Sequence, residues 1–477
     1  MPHHAWMLLA CLGLGACTVG PDFVRPQSGL DDDWQLPAPA DVRSAAVRLP
    51  IDSQWWNSFG DAQLSALIER AAAENLDVRG AFARLEQSRA ARGTVAAEQG
   101  PELNAAAGYN RARNSQQGLN DPSGNAGRSA YSLWQGGLNA AWELDLWGRL
   151  RREVEAADAN VQVAQEAQSD VLLAVLADTA RNYIQLRATQ NALGITRHSL
   201  EIARRSHALN QTRLAEGVAT QLEVAESAAQ VAAIDARLPP LQQREAQLIN
   251  ALSLLLAQPP QSLKASLSGA DMPAMPVGPA QVPVGLPSEL AERRPDVRRA
   301  EATLHAATAE VGVAAGDFYP RITLSGDAGF QALQLGSLGW DARRFAFGPS
   351  LSLPLFDGGR LRGNLHLREA RQQEAAIAYR KTVLTAWHEV DDALVAYQAQ
   401  QRRQASLEQA VSQSHIALES AERQYAQGAV DFLNVLSVQN ALLANQAERV
   451  DSAATASLAL VDLYAALGGG WDQGEAP

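Results

Sequence analysis

The stretch that decides the fold is residues 364–427, NLHLREARQQEAAIAYRKTVLTAWHEVDDALVAYQAQQRRQASLEQAVSQSHIALESAERQYAQ, which contains neither glycine nor proline. Because its 64 residues include no helix breaker, the sequence predicts one continuous helix. At about 1.5 Å per residue this helix is roughly 95 Å long, far longer than a globular domain is wide. It needs equally long neighbours, and residues 149–216 are a second run of the same kind, interrupted only by Gly194.

The two runs are copies of each other. Shifting the sequence by 211 places Gly217 on Gly428 without a gap, whereas upstream a shift of 219 places Pro101 on Pro320. The difference, 219 − 211 = 8, means that the first copy carries eight additional residues, which we place around the loop 114–129. The sequence therefore predicts an internal duplication of about two hundred residues per repeat.

The duplication predicts a division of the chain into five segments. These are a signal peptide over 1–16, a lipidated extended arm over 17–60, a first repeat over 61–283, a second repeat over 284–470 and a tail over 471–477. Each repeat contains, in the same order, an amphipathic helix, a hairpin of strands, a long helical hairpin and a further segment, to which the family resemblance described below gives an equatorial position.

Composition excludes several classes of protein. The net charge of −12 argues against nucleic-acid binding, which needs a basic surface to neutralise phosphates. The eight histidines are scattered, and the sequence has no metal-ligand pair, phosphate-binding loop or nucleophile elbow. We therefore expect no cofactor and no enzymatic activity.

The amino terminus has the features of an export signal. Its apolar run over 5–14 is too short to span about 30 Å of hydrocarbon but suits a signal-peptide core. The sequence Leu-Gly-Ala-Cys at 14–17 is similar to a bacterial lipobox, which predicts lipidation of Cys17; an ordinary signal with an unrelated cysteine is the alternative. Acyl chains alone bind a membrane reversibly, so a second membrane element is expected.

The arm and the helix after it differ in character. Residues 18–50 are rich in proline and predict an extended arm without a core. Trp55, Trp56 and Phe59 then lead into an amphipathic helix that Asp61 caps, and we assign the aromatic residues to core packing. The apolar stripe of that helix comprises Leu64, Leu67, Ile68, Ala71 and Ala72.

Each repeat then changes to the period of two that is typical of strands. The predicted strands are 103–113 and 134–145 in the first repeat and 321–331 and 345–355 in the second, with one apolar and one polar face. A length of about ten to twelve residues matches strands of an outer-membrane barrel, with a half-buried soluble sheet as the alternative. Four strands cannot close, because the smallest barrels need about eight. Two chains would give eight strands, but such a barrel is filled by its own side chains, so we expect three chains to share twelve strands.

The long helices carry an apolar seam of period 3.5, which indicates coiled-coil packing. The seam comprises Leu172, Leu176, Thr179, Tyr183 and Leu186 in the first copy and Val383, Trp387, Val390, Leu394 and Tyr397 in the second. At their far ends Gly217 and Gly428 stop the helices, and Thr220 and Asp431 cap the returning ones. The returning helices are predicted over 221–256, interrupted at Pro239-Pro240, and over 432–467.

Several ordered motifs resemble one family across essentially the whole mature chain. They are CTVGPDF at 17–23, the segment from Trp55 to Asp61, GLPS at 285–288 with RPDV at 294–297, and FYPR at 318–321. Together they resemble the outer-membrane factors of tripartite efflux systems, the TolC, OprM and NodT-like lipoproteins. The resemblance implies a mainly α fold with a membrane β-barrel: a homotrimer whose twelve-stranded barrel continues into a periplasmic helical tunnel.

The resemblance also implies a role. The chain is expected to be the exit duct, in the Gram-negative outer membrane and its lipid, for an inner-membrane RND pump joined through a periplasmic adaptor. The adaptor is expected to dock on the helical tips, at Arg213, Gly217, Val218, Gly428, Ala429 and Asp431. A type I protein-secretion duct and a non-conducting coiled-coil lipoprotein are the alternatives.

The family pattern places a periplasmic gate just past the second tip, with a constricting leucine at Leu433. Ser437 stands where OprM-like members carry an aspartate. A ring of three carboxylates would repel itself and attract cations, whereas a serine ring does neither. We therefore expect a gate closed sterically by Leu433, with the polar position moved to Glu223 or Glu226.

Overall fold

A computed structural model describes residues 18–26, 45–47, 49, 52–117, 124, 127–268, 272–286 and 289–469. In chain order its helices are α1 (Ala62–Glu74), α2 (Leu76–Ala97), α3 (Arg149–Ala215), α4 (Gln221–Asp235), α5 (Leu238–Leu255), α6 (Lys264–Leu267), α7 (Leu290–Arg293), α8 (Pro295–Gly316), α9 (Arg360–Ala426) and α10 (Phe432–Ala466). Its strands are β1 (Ala45–Val47), β2 (Glu102–Ala112), β3 (Tyr131–Leu144), β4 (Gln281–Pro283), β5 (Arg321–Ala332) and β6 (Arg343–Ser352).

The two long helices confirm the prediction from the breaker-free runs. Helices α3 and α9 are each 67 residues long, and α3 continues through Gly194. Helix α9 begins at Arg360, earlier than predicted, because Asp357 accepts the Gly359 and Leu361 N–H groups at 3.0 and 2.8 Å. This side-chain cap starts the helix ahead of Gly363, which then lies inside the first turn.

The chain forms two compact units, and each contains parts of both halves of the sequence. Of the described residues, the first unit comprises 18–26, 84–117, 124, 127–164 and 300–379, and the second comprises 45–47, 49, 52–83, 165–268, 272–286, 289–299 and 380–469. None of the helices in the described ranges is both long enough and apolar enough to cross a membrane.

A four-stranded antiparallel sheet of order β2-β3-β5-β6 dominates the first unit. One row of paired residues runs Ala105, Leu138, Ala328, Phe345, and the row beside it runs Asn104, Asn139, Asp327, Ala346. Adjacent rows point to opposite faces of a sheet, so one face is apolar and the other polar. The predicted pair of hairpins and their alternation are therefore confirmed.

The apolar face of this sheet is largely exposed within the chain. Phe345 is 73% exposed and Phe347 82%, and their rings stack with 6.5 Å between centroids. Strand β6 ends at Ser352 rather than at the predicted Leu355, because Pro354 has no N–H to donate to the ladder. Within the described residues, β2 and β6 are the edge strands of the sheet.

The second unit contains the main apolar core. A short 3-10 helix spans Trp55–Phe59, and its three aromatic side chains are buried. The ring of Tyr464 in α10 stacks on Trp55 with 5.2 Å between ring centroids. The α1 stripe residues Leu64, Leu67, Ile68 and Ala71 are also buried there. The predicted assignment of the tryptophans to core packing is confirmed.

Asp61 connects the cap of α1 to the long helix α3. Its Oδ1 accepts the N–H groups of Gln63 and Leu64, as predicted for an N-cap, and its Oδ2 accepts the Tyr183 hydroxyl at 2.8 Å. Burial raises the pKa of Tyr183 to about 12. The tyrosine therefore remains a neutral donor to the carboxylate.

The predicted seams face this core. Leu176, Thr179, Tyr183 and Leu186 are at most 5% exposed, and Val390, Leu394 and Tyr397 of α9 join the same cluster. At this core the seam residues of α3 and α9 also contact α1, α5 and α10.

The amino-terminal arm differs from the expectation of an extended segment without a core. Ala45–Val47 forms strand β1, which pairs in parallel with β4, and Ala46 packs on the core.

Candidate functional site

The first helical tip joins α3 to α4 at Gly217, whose φ of 74° lies in the left-handed region. The Gly217 N–H donates to the Leu214 carbonyl at 3.0 Å, and the Val218 N–H donates to the Arg213 carbonyl at 2.8 Å. This pair of bonds is a Schellman motif, which satisfies carbonyls at the end of α3. A Cβ on Gly217 would meet nothing within 4 Å, so backbone conformation rather than crowding favours glycine.

The second tip, between α9 and α10, repeats this geometry at Gly428, which also has a φ of 74°. The Gly428 N–H donates to the Tyr425 carbonyl at 3.0 Å, and the Ala429 N–H donates to the Gln424 carbonyl at 2.9 Å. The two tips therefore use one backbone motif at positions 211 residues apart. Both predicted helical hairpins are confirmed, but the first returning helix is interrupted at 236–237 rather than at Pro239-Pro240, because proline fits the first turn of a helix and so lies inside α5.

Side-chain caps start the two returning helices. Thr220 Oγ1 accepts the Glu223 N–H at 3.2 Å while Glu223 Oε2 accepts the Thr220 N–H at 2.6 Å, which is a capping box. Asp431 Oδ1 accepts the Asn434 N–H at 3.0 Å. The carboxylate of Glu223, a predicted gate residue, is thus bound to the backbone at the start of α4.

Tyr425 links the second tip to the first. Its hydroxyl donates to Asn210 Oδ1 at 3.3 Å, the Arg213 guanidinium lies 4.6 Å from its ring centroid, and its ring packs on Phe432 at 5.7 Å. Burial raises the pKa of the Tyr425 hydroxyl, while the positive charge of Arg213 lowers it and the negative charge of Glu223 raises it. The net shift is upward, so this group stays a hydrogen-bond donor.

Each hairpin has an apolar cluster close to its tip. In the second hairpin the buried members are Val411, Leu418, Ala421, Val435 and Leu442. In the first hairpin Leu200 and Ala203 of α3 pack on Ile234 of α4, and Leu443 of α10 joins this cluster. Helix α10 therefore contributes side chains to both clusters.

The predicted gate residues Leu433 and Ser437 are exposed on α10, one helical turn apart. Leu433 is 50% exposed, and its counterpart under the 211-residue shift, Leu222 on α4, is 62% exposed. The counterpart of Ser437 is Glu226, which was predicted, whereas Leu222 was not named as a gate residue. The 211-residue shift would have identified Leu222 as the counterpart of Leu433 from the sequence, because it matches one large apolar residue to another.

The predicted docking residues form the outer surface of the tips, with one exception. Gly217, Val218, Gly428, Ala429 and Asp431 are exposed. Arg213 is half-buried instead, because its guanidinium lies over the Tyr425 ring. Cys17 lies outside the described residues.

The exposed surface of the tips combines apolar and polar groups. It includes the apolar side chains Val218, Leu222 and Leu433, the hydroxyl of Ser437 and the carboxylate of Asp431.

Comparison with known proteins assigns the chain to a family. The model of the outer membrane efflux protein family matches residues 67–258 and 286–469. The chain is similar to the outer membrane protein OprJ of Pseudomonas aeruginosa, with 36% identity over 98% of this chain and 96% of OprJ. It is also similar to the cation efflux system protein CusC of Escherichia coli, with 30% identity over 97% of each chain.

Among solved structures, the outer-membrane channel OprN is similar with a TM-score of 0.87 and 34% identity, covering 95% of this chain and 100% of OprN. Both sequence and fold therefore agree over nearly the full length. The chain belongs to the outer membrane efflux protein family.

Proposed function

We propose that the chain is one protomer of a homotrimeric exit duct, which passively conducts substrates across the outer membrane from a periplasmic adaptor and an inner-membrane RND transporter. The observation that carries this proposal is the four-stranded sheet with one apolar face, one polar face and two edge strands. Family membership supports the coarser role as an outer-membrane efflux channel.

The sheet needs partners because open edges cannot lie in hydrocarbon. Strand β6 of one protomer would pair with β2 of the next, and three sheets of four strands would close a twelve-stranded barrel. Phe345 and Phe347 would then face lipid, and the row containing Asn139 and Asp327 would line the lumen. Lipidation of Cys17 would attach the same end of the protein to the membrane.

The helical tips are the proposed contact with the adaptor. Gly217, Val218, Gly428, Ala429 and Asp431 supply an exposed surface, and the two Schellman motifs give both hairpins the same shape. Arg213 would act from beneath this surface by holding Tyr425. The repeat boundaries at 61–283 and 284–470 are part of the same proposal, since each repeat supplies one tip.

The gate is proposed to be steric. Leu433 projects from α10 into solvent, and we add Leu222 because it occupies the matching position on α4. Ser437 gives this constriction no charge, Glu226 supplies the acidic group beside Leu222, and the Glu223 carboxylate is engaged by the capping box. In such an iris the leucine side chains would exclude solutes by size, and the acidic group of Glu226 would lie one helical turn from Leu222.

Single-channel recording in planar bilayers tests the duct and its gate together. Purified native protein should form channels of low open probability, and Leu433→Ala should raise it because the side chain that narrows the tip is shortened. Val395→Ala, at an equally exposed apolar position along the same pair of helices but away from the tips, is the matched control. Absence of any channel would favour a non-conducting coiled-coil lipoprotein, and an open probability of Leu433→Ala no higher than that of Val395→Ala would refute the role of Leu433.

A further inference from the structure

Residues 18–26, the amino-terminal strap, are held by the first unit through backbone contacts. The Val19 N–H donates to the Trp147 carbonyl at 3.0 Å, just past the end of β3. Gly20, with a φ of 99°, lies so close to α8 that a Cβ on it would be 2.4 Å from Gly312 Cα. Gly20 must therefore lack a side chain, because a Cβ at this position would overlap the backbone of Gly312.

Arg152 is the principal side chain that holds the strap. Its Nη2 donates to Asp22 Oδ1 at 2.5 Å and its Nη1 donates to Glu155 Oε2 at 2.7 Å. The Arg152 side chain is 4% exposed, and a Cβ on Gly312 would lie 2.9 Å from it. Burial by itself lowers the pKa of Arg152, but the hydrogen bonds and negative charges of Asp22 and Glu155 outweigh it and raise that pKa.

A second pair of contacts holds the outer half of the strap. The Phe23 ring stacks on the His305 imidazole, with 4.5 Å between centroids and 19° between planes. His305 Nε2 lies 3.0 Å from Glu155 Oε1, so the same carboxylate group supports both Arg152 and the imidazole. Arg25 Nε donates to Glu301 at 3.1 Å.

The duplication shows that this arrangement is specific to one place in the chain. Under the shifts of 211 and 219, Arg152 is matched by Gly363 and Gly312 by Gly93. A Cβ on Gly363 or Gly93 would meet nothing within 4 Å. The matching site, which combines Gly363 of the second repeat with Gly93 of the first, has therefore no guanidinium, and none of the described residues lies against its glycines.

We propose that Arg152, Gly312 and His305 form a seat that clips the strap and so positions the amino-terminal lipid anchor against the junction of β3 and α3. Gly20 and Asp22 follow Cys17 by three and five residues. A flexible tether of five residues has a root-mean-square end-to-end distance of about 12 Å, so the position of an anchor at its end would vary by that distance. The clipped strap instead couples acyl chains in a lipid surface directly to the body of the protein. The role as lipid positioner rests on the proposed lipidation; the clip itself does not.

Chymotrypsin cleavage of the Phe23–Val24 bond in the purified full-length protein tests the clip, because stacking on His305 shields Phe23. Asp22→Ala and Gly20→Ala should each accelerate this cleavage at least tenfold. Both substitutions lie in the strap, so they leave the packing of the body intact, and Arg152→Ala should have the same effect from the other side. Arg92→Ala, which breaks the exposed ion pair with Asp158 of α3, is the matched control and should not change the rate.

Two further readouts separate the clip from the anchor. The mass of the released fragment shows directly whether it carries acyl chains, so failure of the lipidation hypothesis is visible independently of the cleavage rate. In phosphatidylethanolamine and phosphatidylglycerol vesicles, a spin label at Val24→Cys, where the side chain is 79% exposed, should be restrained and become mobile with Asp22→Ala. Cleavage rates within twofold of native for both strap variants, or a label equally mobile in both backgrounds, would overturn the proposal.

Discussion

Tyr425→Phe tests whether the contact between the two helical tips holds the duct closed. The substitution deletes the hydroxyl that donates to Asn210 but leaves the ring under Arg213 and against Phe432. A neutral hydrogen bond contributes about 0.5–1.5 kcal/mol net, so a loss of about 1 kcal/mol changes a population ratio about fivefold. If the bond forms only in the closed state, the ratio of open to closed channels rises by that factor.

The buried environment of Asn210 raises the expected free-energy cost of Tyr425→Phe. It is 1% exposed, and its Nδ2 is a buried group without a hydrogen-bond partner among the described residues. Losing the Tyr425 hydroxyl also leaves its Oδ1 unpaired, which adds a desolvation penalty of about 1–3 kcal/mol. Asn210→Ala removes that penalty, and Ala421 stands at the matching position of the second copy. The double variant should therefore be less perturbed than Tyr425→Phe alone.

The assay is single-channel open probability in planar bilayers, with Tyr379→Phe as the matched control. Tyr379 lies on the same helix, and its hydroxyl is buried without a hydrogen-bond partner in the described part of the chain. Its removal should leave gating unchanged. An open probability of Tyr425→Phe equal to that of the native channel, with the same helical content by circular dichroism, would refute the idea that this hydrogen bond holds the duct closed.

Three further outcomes follow from the geometry. Gly428→Ala forces a left-handed alanine at a cost of about 1–2 kcal/mol, so the Ala429 amide hydrogen should exchange about 5- to 30-fold faster, and Gly428→Asn should change it less. Asp61→Ala loses the N-cap of α1 and the acceptor of the Tyr183 hydroxyl, and should lower the free energy of unfolding in urea by about 2–4 kcal/mol, with Asp61→Asn retaining part of it. The folded-state pKa of Tyr183 is raised to about 12. The contribution of Tyr183 to the stability of the folded protein is therefore complete below its ordinary pKa of about 10 and is lost as pH rises through 12. Urea denaturation midpoints that are constant from pH 6 to 9 and fall above pH 10 would agree with this, and a fall below pH 9 would contradict it.

The family assignment confirms the resemblance stated from the motifs, together with the outer-membrane location and the role in efflux. Local sequence patterns were sufficient to predict most of the helices and strands. The breaker-free runs became α3 and α9, the period of two became the sheet, and Gly217 and Gly428 ended their helices in the left-handed region. These features depend on hydrogen bonds and steric limits within a few residues, which a sequence displays directly.

Some boundaries moved where one side chain outweighed the pattern. Asp357 started α9 ahead of Gly363, and Pro354 removed the last residues from the predicted β6. Glu223 shows a similar limit at the gate. Its acidic character suggested a lining group, but its position three residues after Thr220 places it in a capping box. A capping signature of this kind is visible in the sequence, although its occupancy depends on where the helix begins.

The sequence by itself determined the duplication, the long helices, the two-faced strands and the backbone shape of the tips, because periodicity and glycine placement act over short distances. Only the tertiary structure decided which distant groups meet. Arg152 reaches Asp22 across 130 residues, and Tyr425 reaches Asn210 across 215. No local pattern selects such partners, since a buried guanidinium or hydroxyl can donate to any suitably placed acceptor and the packing of the helices determines which one is there.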